Sequence, residues 1–387
     1  MGHTVETTAT SNNEKHEWDD GIYIGISSGH ARSTVLASSR HGTQLAVVCS
    51  DSLNTHADTY DVVAYRLARL LGLLCERIGI DKCDLMRRTL RLVLAVPEVA
   101  TEGDQALAQI CLKMSGWTDI AKAQIADDTW AMLVAGTGTY EGVCAYSGTG
   151  ASVLVGLDNV RGKSYKIDGR GPVLGDFGSA FQLATDMFRF FCRSCDRGVI
   201  PPLFDEFLHA EPEIGDIDGV QKWFDVLLMM HPHSWRAMFA RSAEVVLKAA
   251  DGNPPDPDAV ALVEDAAGRM AESIELATTR GGAMVRSLPV VFHGWMFERS
   301  SLFREEVMRI VRKITRGSVS MSVFRTVVGA NLIATSSISA PPASLMVSNT
   351  WTAVNSLPPD EQELLRYPSS ILASAPEGLA SISTAAP

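Results

Sequence analysis

The feature that most restricts this chain is a pattern that starts twice. Ile22-Tyr23-Ile24-Gly25-Ile26 is a strand-like apolar run, followed by Ser27-Ser28-Gly29-His30 as a turn and residues 33–37 as a second run. The same opening returns at 142–146, with Ser147-Gly148-Thr149-Gly150-Ala151 as the turn and 152–157 as the next run. Each opening leads into alternating helix and strand patterns. In the first half, Val62, Val63, Leu67, Leu70, Leu71 and Leu74 recur at helical spacing and predict a helix over 59–78. Residues 45–49, 90–96 and 121–126 read as strands, and 105–114 and 129–135 as helices. In the second half a helix is expected over 177–195. Long helices are expected over 235–250 and 258–280, split by the breakers Gly252-Asn253-Pro254-Pro255. Strands follow at 288–293 and 319–324, with a helix over 300–315 between them and another beginning at 329. The pattern predicts a duplicated α/β unit, two domains each built on a mixed sheet.

The 387 residues are too many for one ordinary core, and 46% hydrophobic content is enough to fill two. The expected division is a disordered arm over 1–20, a first domain over 21–139 and a second over 140–331. The remainder, 332–387, is a return helix and a tail rich in Ser, Pro and Ala with one weak helical patch at 360–366. A net charge of −11 without a basic stripe argues against nucleic acid as a partner. Anionic substrates would therefore need local donors such as backbone N–H groups. Seven scattered cysteines do not form a disulfide framework. The polar start lacks an apolar signal core, Glu6 spoils a myristoylation pattern, and no apolar run is long enough to span a membrane. The expected location is the cytoplasm.

Three segments could carry chemistry. Ser147-Gly148-Thr149-Gly150-Ala151-Ser152 is a glycine-rich turn between strands, whose N–H groups and hydroxyls can cradle phosphate oxygens. The same turn could equally do no more than close a hairpin. Leu174-Gly175-Asp176-Phe177-Gly178-Ser179-Ala180 opens a helix, where negative charge is favoured. There Asp176 could hold a metal ion or a sugar hydroxyl, or Asp176 or Ser179 could simply cap the helix. Asp127-Asp128 ends a strand before a helix, where a carboxylate can take a proton from a hydroxyl or serve as a cap. Cys192 and Cys195 stand without a second pair, too few for structural zinc. His231-Pro232-His233 reads as a surface loop.

The order and spacing of Asp128, Ser147-Gly148-Thr149-Gly150, and Gly175-Asp176 followed by Gly178-Ser179 resemble N-acetylglucosamine kinases. These belong to the actin/hexokinase/heat-shock-chaperone ATPase superfamily, in the branch that also holds 2-hydroxyacyl-CoA dehydratase activators. The resemblance runs over about residues 21 to 335. It includes Asp51-Ser52-Leu53-Asn54-Thr55-His56, similar to a sugar-binding Asn loop, and the helix pattern over 236–249. It also includes Gly294-Trp295, similar to a glycine motif facing adenosine, and Gly329-Ala330, similar to the start of the terminal helix.

The resemblance implies two actin-like (ribonuclease H-like) ATPase domains with ATP and Mg2+ in the cleft between them. Ser28, Gly29, Arg32, Ser147, Gly148, Thr149, Gly150 and Gly294 would meet the nucleotide. Asn54, Asp128, Thr149 and Asp176 would bind the sugar, with Asp128 as general base, and no protein-only metal site is implied. Relatives suggest a homodimer, with no membrane partner. One departure stands out: the family's first phosphate loop reads acidic residue, Gly, Gly, Gly, Thr, where this chain has Ser27-Ser28-Gly29-His30-Ala31. Phe177 also replaces a commonly acidic residue. The leading expectation is an amino-sugar kinase acting on the 6-hydroxyl of N-acetylglucosamine. The alternative is a degenerate homologue that senses sugar or nucleotide without turnover.

Overall fold

The computed structural model describes residues 17–29, 32–53, 58–97, 99, 101–157, 159, 163–212, 214–230, 235–336, 340 and 342–372. The repeated opening becomes a repeated sheet. The first sheet contains β1 (Ile22–Ser28), β2 (Arg32–Ser39), β3 (Leu45–Asp51), β4 (Thr89–Val96) and β5 (Ala123–Asp127), in spatial order β3-β2-β1-β4-β5. The second contains β6 (Gly142–Ser147), β7 (Ala151–Gly156), β8 (Ser164–Asp168), β9 (Val290–His293) and β10 (Val319–Met321), in order β10-β9-β6-β7-β8. In each, the first three strands form an antiparallel meander and the last two add in parallel to the first. The two sheets therefore have the same topology, as a duplicated unit requires.

β1 and β7 are buried on both faces, so their sequences read as continuous apolar runs rather than alternating ones. Helices Tyr60–Ile78 and Glu102–Met114 cover one face of the first sheet, burying Leu67, Leu70, Leu71 and Leu112 with Ile24, Ile26 and Leu92. Helix Pro257–Arg286 packs on the second sheet with Val263, Met270 and Ile274 in its core.

Between the sheets lie two helices that are apolar all round, Asp128–Thr137 and Thr326–Ala334. Such a pattern requires burial on every side. They share one core with Leu36, Val47 and Val93 of the first sheet and Cys144, Leu154 and Val291 of the second. A Cβ at Gly329 would overlap the Ala131 carbonyl oxygen, so the two helices cross at backbone contact. Buried Asn331 accepts from the Ser38 hydroxyl at 2.9 Å and donates to the carbonyls of Tyr23 and Leu36 at 3.0 and 3.1 Å. Losing these bonds would orphan buried groups at about 1–3 kcal/mol each.

Several elements differ from the sequence reading. The return helix begins at Thr326 and packs on β1, β2 and β4 of the first sheet. β8 and helices Lys82–Arg88, Pro202–Ala210 and Ile217–Met230 were not expected. The helix expected over 235–250 is divided into Trp235–Arg241 and Ala243–Ala250. In the arm expected to be disordered, Glu17–Asp20 forms a short 3-10 turn and Trp18 is buried in the first core. The tail is also more than an appendage. Helices Ser344–Asn355 and Pro359–Leu365 place Val354 and Leu365 in the core between the sheets, and Ile371 reaches the second domain's core. No helix among the described residues is long and apolar enough to cross a membrane.

Candidate active site

A cleft of about 940 Å³ opens between the domains. The first domain lines it with Ser27, Ser28 and Gly29 from the β1–β2 hairpin and with Asp127 and Asp128 from the end of β5. The second domain adds Thr149, Gly150, Lys166, Arg170 and Asp176. Ligands of open α/β sheets bind beyond the carboxyl ends of the strands, which is where these residues stand.

The adjacent aspartates divide their work. Asp127 caps helix Asp128–Thr137: its Oδ1 accepts from the Thr129 N–H at 2.9 Å and from the Thr129 hydroxyl, and its Oδ2 accepts from Lys166 Nζ at 3.0 Å. Both oxygens of Asp127 are thus engaged. Asp128, the first helical residue, also lines the cleft. Burial alone would depress the Lys166 ammonium, but the Asp127 and Asp128 carboxylates outweigh it and hold Lys166 above the usual lysine value. Lys166 was not singled out from the sequence. It lies on the unforeseen strand β8, in a Ser-Tyr-Lys-Ile-Asp stretch with no motif.

The glycine-rich turn is stitched to the following helix. The N–H groups of Ala180 and Phe181 donate to the carbonyls of Gly148 and Thr149 at 2.9 and 3.3 Å, and Ser147 Oγ donates to the Gly178 carbonyl at 2.8 Å. Gly148 N–H closes on the Gly150 carbonyl at 2.8 Å. The first N–H groups of helix Ala180–Asp196 are thereby used by the turn rather than aimed at a ligand. Ser179 caps that helix, accepting from Gln182 N–H at 3.2 Å. Asp176 does not cap it. Held at φ 59°, a conformation uncommon for residues other than glycine, Asp176 places its carboxylate against Gly150. A Cβ at Gly150 would lie 2.9 Å from Asp176 Oδ2. Asp168, at the end of β8, is also at positive φ, accepts from the Ser273 hydroxyl, and is raised in pKa by burial.

In the first hairpin, Ser28 is buried and its hydroxyl turns into the domain. It accepts from Leu53 N–H at 2.9 Å and from Ser33 Oγ at 3.1 Å, while Ser52 Oγ donates to the Gly29 carbonyl at 2.6 Å. Ser28 and Ser52 thereby brace the hairpin onto the segment before Asn54. Asn54 itself, like His30, Ala31 and the 231–233 loop, lies outside the described residues. Arg32 begins β2, is exposed, and uses its carbonyl to accept from Gly29 N–H at 2.9 Å.

Ser28, Gly29, Asp128, Thr149, Gly150 and Asp176 thus meet in one cleft. Arg32, Ser147, Gly148 and Gly294 are not among its lining residues. Gly294 follows β9 with φ 107°, and a Cβ there would overlap the Ser147 carbonyl oxygen. Its N–H donates to the hydroxyl of Tyr367 at 3.2 Å, so a residue of the tail occupies the space before it. Burial pushes the Tyr367 phenol up to about 12.

Two domains with the same sheet topology, joined by buried crossing helices around a cleft with a glycine-rich hairpin on one wall, define the actin-like (ribonuclease H-like) fold. The structure superposes on an N-acetylglucosamine kinase from Chromobacterium violaceum, whose kinase name is itself provisional. The TM-score is 0.62 and the identity 17%, over 82% of this chain and 99% of that one. A similarly provisional N-acetylglucosamine kinase from Porphyromonas gingivalis gives 0.57 and 18%, over 80% and 97%. In sequence, the chain is 26% identical over 197 residues to N-acetyl-D-glucosamine kinase of Dictyostelium discoideum, covering 46% of this chain and 56% of that protein. The chain thus spans little more than half the length of that curated relative. No protein-family profile matches it.

Proposed function

We propose that the chain is an ATP-dependent phosphotransferase acting on the 6-hydroxyl of an amino sugar, N-acetylglucosamine being the reference acceptor. One observation carries this reading: Asp128 of the first domain faces the same cleft as Thr149, Gly150 and Asp176 of the second. Phosphoryl transfer asks little covalent chemistry of a protein and relies on positioning and charge stabilisation. In this reading Asp128 accepts the proton of the sugar hydroxyl, and Asp176 fixes other hydroxyls of the ring. The hairpins at Ser28-Gly29 and Thr149-Gly150 hold the phosphates from either side. Lys166 places a positive charge beside Asp127 at the cleft wall. The similarity to the Dictyostelium discoideum kinase supports the substrate class.

Magnesium fits as an ion carried by the nucleotide. No group of three His, Cys, Asp or Glu side chains among the described residues could hold a metal. A nucleotide-bound Mg2+ needs only one or two carboxylates in addition to water and phosphate. Bound with the nucleotide, the ion would supply charge neutralisation at the phosphates.

An ADP-release assay across neutral amino sugars tests the proposal. Magnesium-dependent turnover with N-acetylglucosamine supports it, and background rates with every sugar in a folded sample refute it. A second reading, a sensor that binds without turnover, is favoured by Ser27 and by the inward-turned hydroxyl of Ser28. Calorimetric binding of sugar or ATP without hydrolysis would select it.

A further inference from the structure

The tip of the first hairpin is held by hydrogen bonds rather than by packing. Apart from its chain neighbours, a Cβ at Gly29 would find only the Arg32 carbonyl oxygen within 4 Å among the described residues, at 3.7 Å. Gly29 N–H donates to that same carbonyl at 2.9 Å, and the Gly29 carbonyl accepts from Ser52 Oγ at 2.6 Å. Ser28 Oγ, which accepts from Leu53 N–H, adds a longer contact of 3.3 Å to the Gly29 carbonyl. Both polar groups of Gly29 are thus committed. The setting of the hairpin at the cleft follows from where Ser52 and Leu53 stand.

Leu53 is fixed by burial in the first core. Ser52 is fixed by a charge. Arg66, on helix Tyr60–Ile78, donates through Nη1 to the Ser52 carbonyl at 2.9 Å and to Asp58 Oδ2 at 2.6 Å, and its Nη2 lies 3.4 Å from Asp58 Oδ1. The fork of the guanidinium faces both carboxylate oxygens, which sets its plane and aims the other Nη1 hydrogen at Ser52. The pair is largely buried, so solvent screens it less than a surface pair. Arg69 on the same helix shows the contrast: its 3.3 Å pair with Asp51 is more than half exposed on both sides. A path of bonds therefore runs from Arg66 to the Ser52 carbonyl, and from the Ser52 hydroxyl to Gly29 on the cleft wall. Arg66 is not a lining residue of the cleft, so it acts through Ser52.

We infer that Arg66 is a positioning residue for nucleotide binding, holding Ser52 and through it the Ser27–Gly29 wall in the arrangement that receives the phosphates. This rests on the phosphotransferase reading of the cleft. A wall that is correctly set only part of the time lowers the apparent affinity by that fraction. With Ser52 released, Gly29 keeps one long contact to its carbonyl and no packing to restore it. A correctly set fraction of about one in ten corresponds to a tenfold weaker nucleotide.

The test is titration calorimetry of the full chain with ATP and Mg2+, beside thermal melts, for the wild type, Arg66→Met, Ser52→Ala and the double variant. Arg66→Met should raise the Kd for ATP about tenfold. Ser52→Ala, which leaves the Arg66–Asp58 pair in place, should weaken ATP in the same direction. The double variant should be no weaker than the worse single one, because both changes cut one path. A purely structural role would lower Tm without this shared effect on affinity. Unchanged ATP affinity in both single variants, or effects that multiply in the double variant, would overturn the inference. If Arg66→Met does not fold, Ser52→Ala decides alone: a Kd equal to that of the wild type overturns it. Wild-type ATP binding with no transfer to any amino sugar would refute the phosphotransferase reading, while the variants still decide the role of Arg66. Absence of ATP binding by the folded wild type overturns both.

Discussion

Lys166, on the edge strand of the second domain, donates to Asp127, at the end of the first domain's β5, across 3.0 Å of the cleft floor. The bond ties the two walls at the point where the candidate base stands. Its partners are partly buried, with 33% and 17% of their side chains exposed. It is therefore shielded better than a surface pair, whose worth is about 0–1 kcal/mol. Lys166→Met combined with Asp127→Asn in a double-mutant cycle should give a coupling of about 1 kcal/mol or more by chemical denaturation. Additive effects would show that the contact does not join the domains energetically.

The two aspartates should separate by phenotype. Asp128→Asn is expected to lower kcat by about a hundredfold or more, as loss of a general base does, with little change in Tm. Asp127→Ala removes a helix cap at about 1 kcal/mol and also the Lys166 partner, so its Tm should fall. Steady-state kinetics beside thermal melts would show the split, and a reversed pattern would exchange the roles.

Gly150→Ala sets a methyl group 2.9 Å from Asp176 Oδ2. Because Asp176 is held at φ 59° and its loop is folded on itself, it has little room to yield. Sugar KM should rise about tenfold, the scale of one lost hydrogen bond to a charged group. Unchanged KM and kcat would mean that Asp176 does not touch substrate.

Both rings of the pair His293 and Tyr367 are buried beside Gly294, 5.9 Å apart. Burial pushes the His293 imidazole down to about 3. The folded state therefore keeps His293 neutral where the unfolded chain, with an ordinary pKa near 6.5, takes up a proton. The stabilisation is complete above that unfolded value and is lost as pH falls toward 3. Between pH 7 and pH 5 this single group should cost roughly 2 kcal/mol of folding stability. His293→Phe should flatten that part of the stability–pH curve in urea titrations. An identical slope in the variant would show that His293 is not the responsible group.

The sequence revealed the fold where both sheet faces are covered, because such strands form unbroken apolar runs. Ile22-Tyr23-Ile24-Gly25-Ile26 and the restart at 142–146 exposed the duplication for that reason. β8 was hidden by its position at a sheet edge: four of its five residues are only half-buried, so Ser164–Asp168 carries no hydrophobic signature. The tail helix Ser344–Asn355 buries only Thr350 and Val354, too few to mark a stripe among Ser and Asn. At the site, motif spacing brought Asp128, Thr149, Gly150 and Asp176 to attention, and these do meet in the cleft. Lys166 was invisible because its significance lies in what faces it across the fold, Asp127, which no spacing along the chain records. Gly294 illustrates the reverse: its motif stood out, but Tyr367, 73 residues later, sits against its N–H.

Ser27 stands where the resembled family has a carboxylate. Ser27→Asp should strengthen magnesium-dependent ATP binding if the hairpin is a weakened phosphate loop. Calorimetry with and without Mg2+ would read the difference, and equal affinities in both proteins would detach Ser27 from metal handling.

The account turns on whether the cleft transfers phosphate to a sugar oxygen under the control of Asp128. The most direct measurement is 31P NMR of ATP, Mg2+ and amino sugar with the wild-type protein and with Asp128→Asn. The expected result is a new sugar phosphomonoester resonance with the wild type and none above background with the variant, although calorimetry still shows sugar binding to it. An equal rate of product formation in both proteins, or no phosphomonoester from the wild type with any amino sugar, would contradict it.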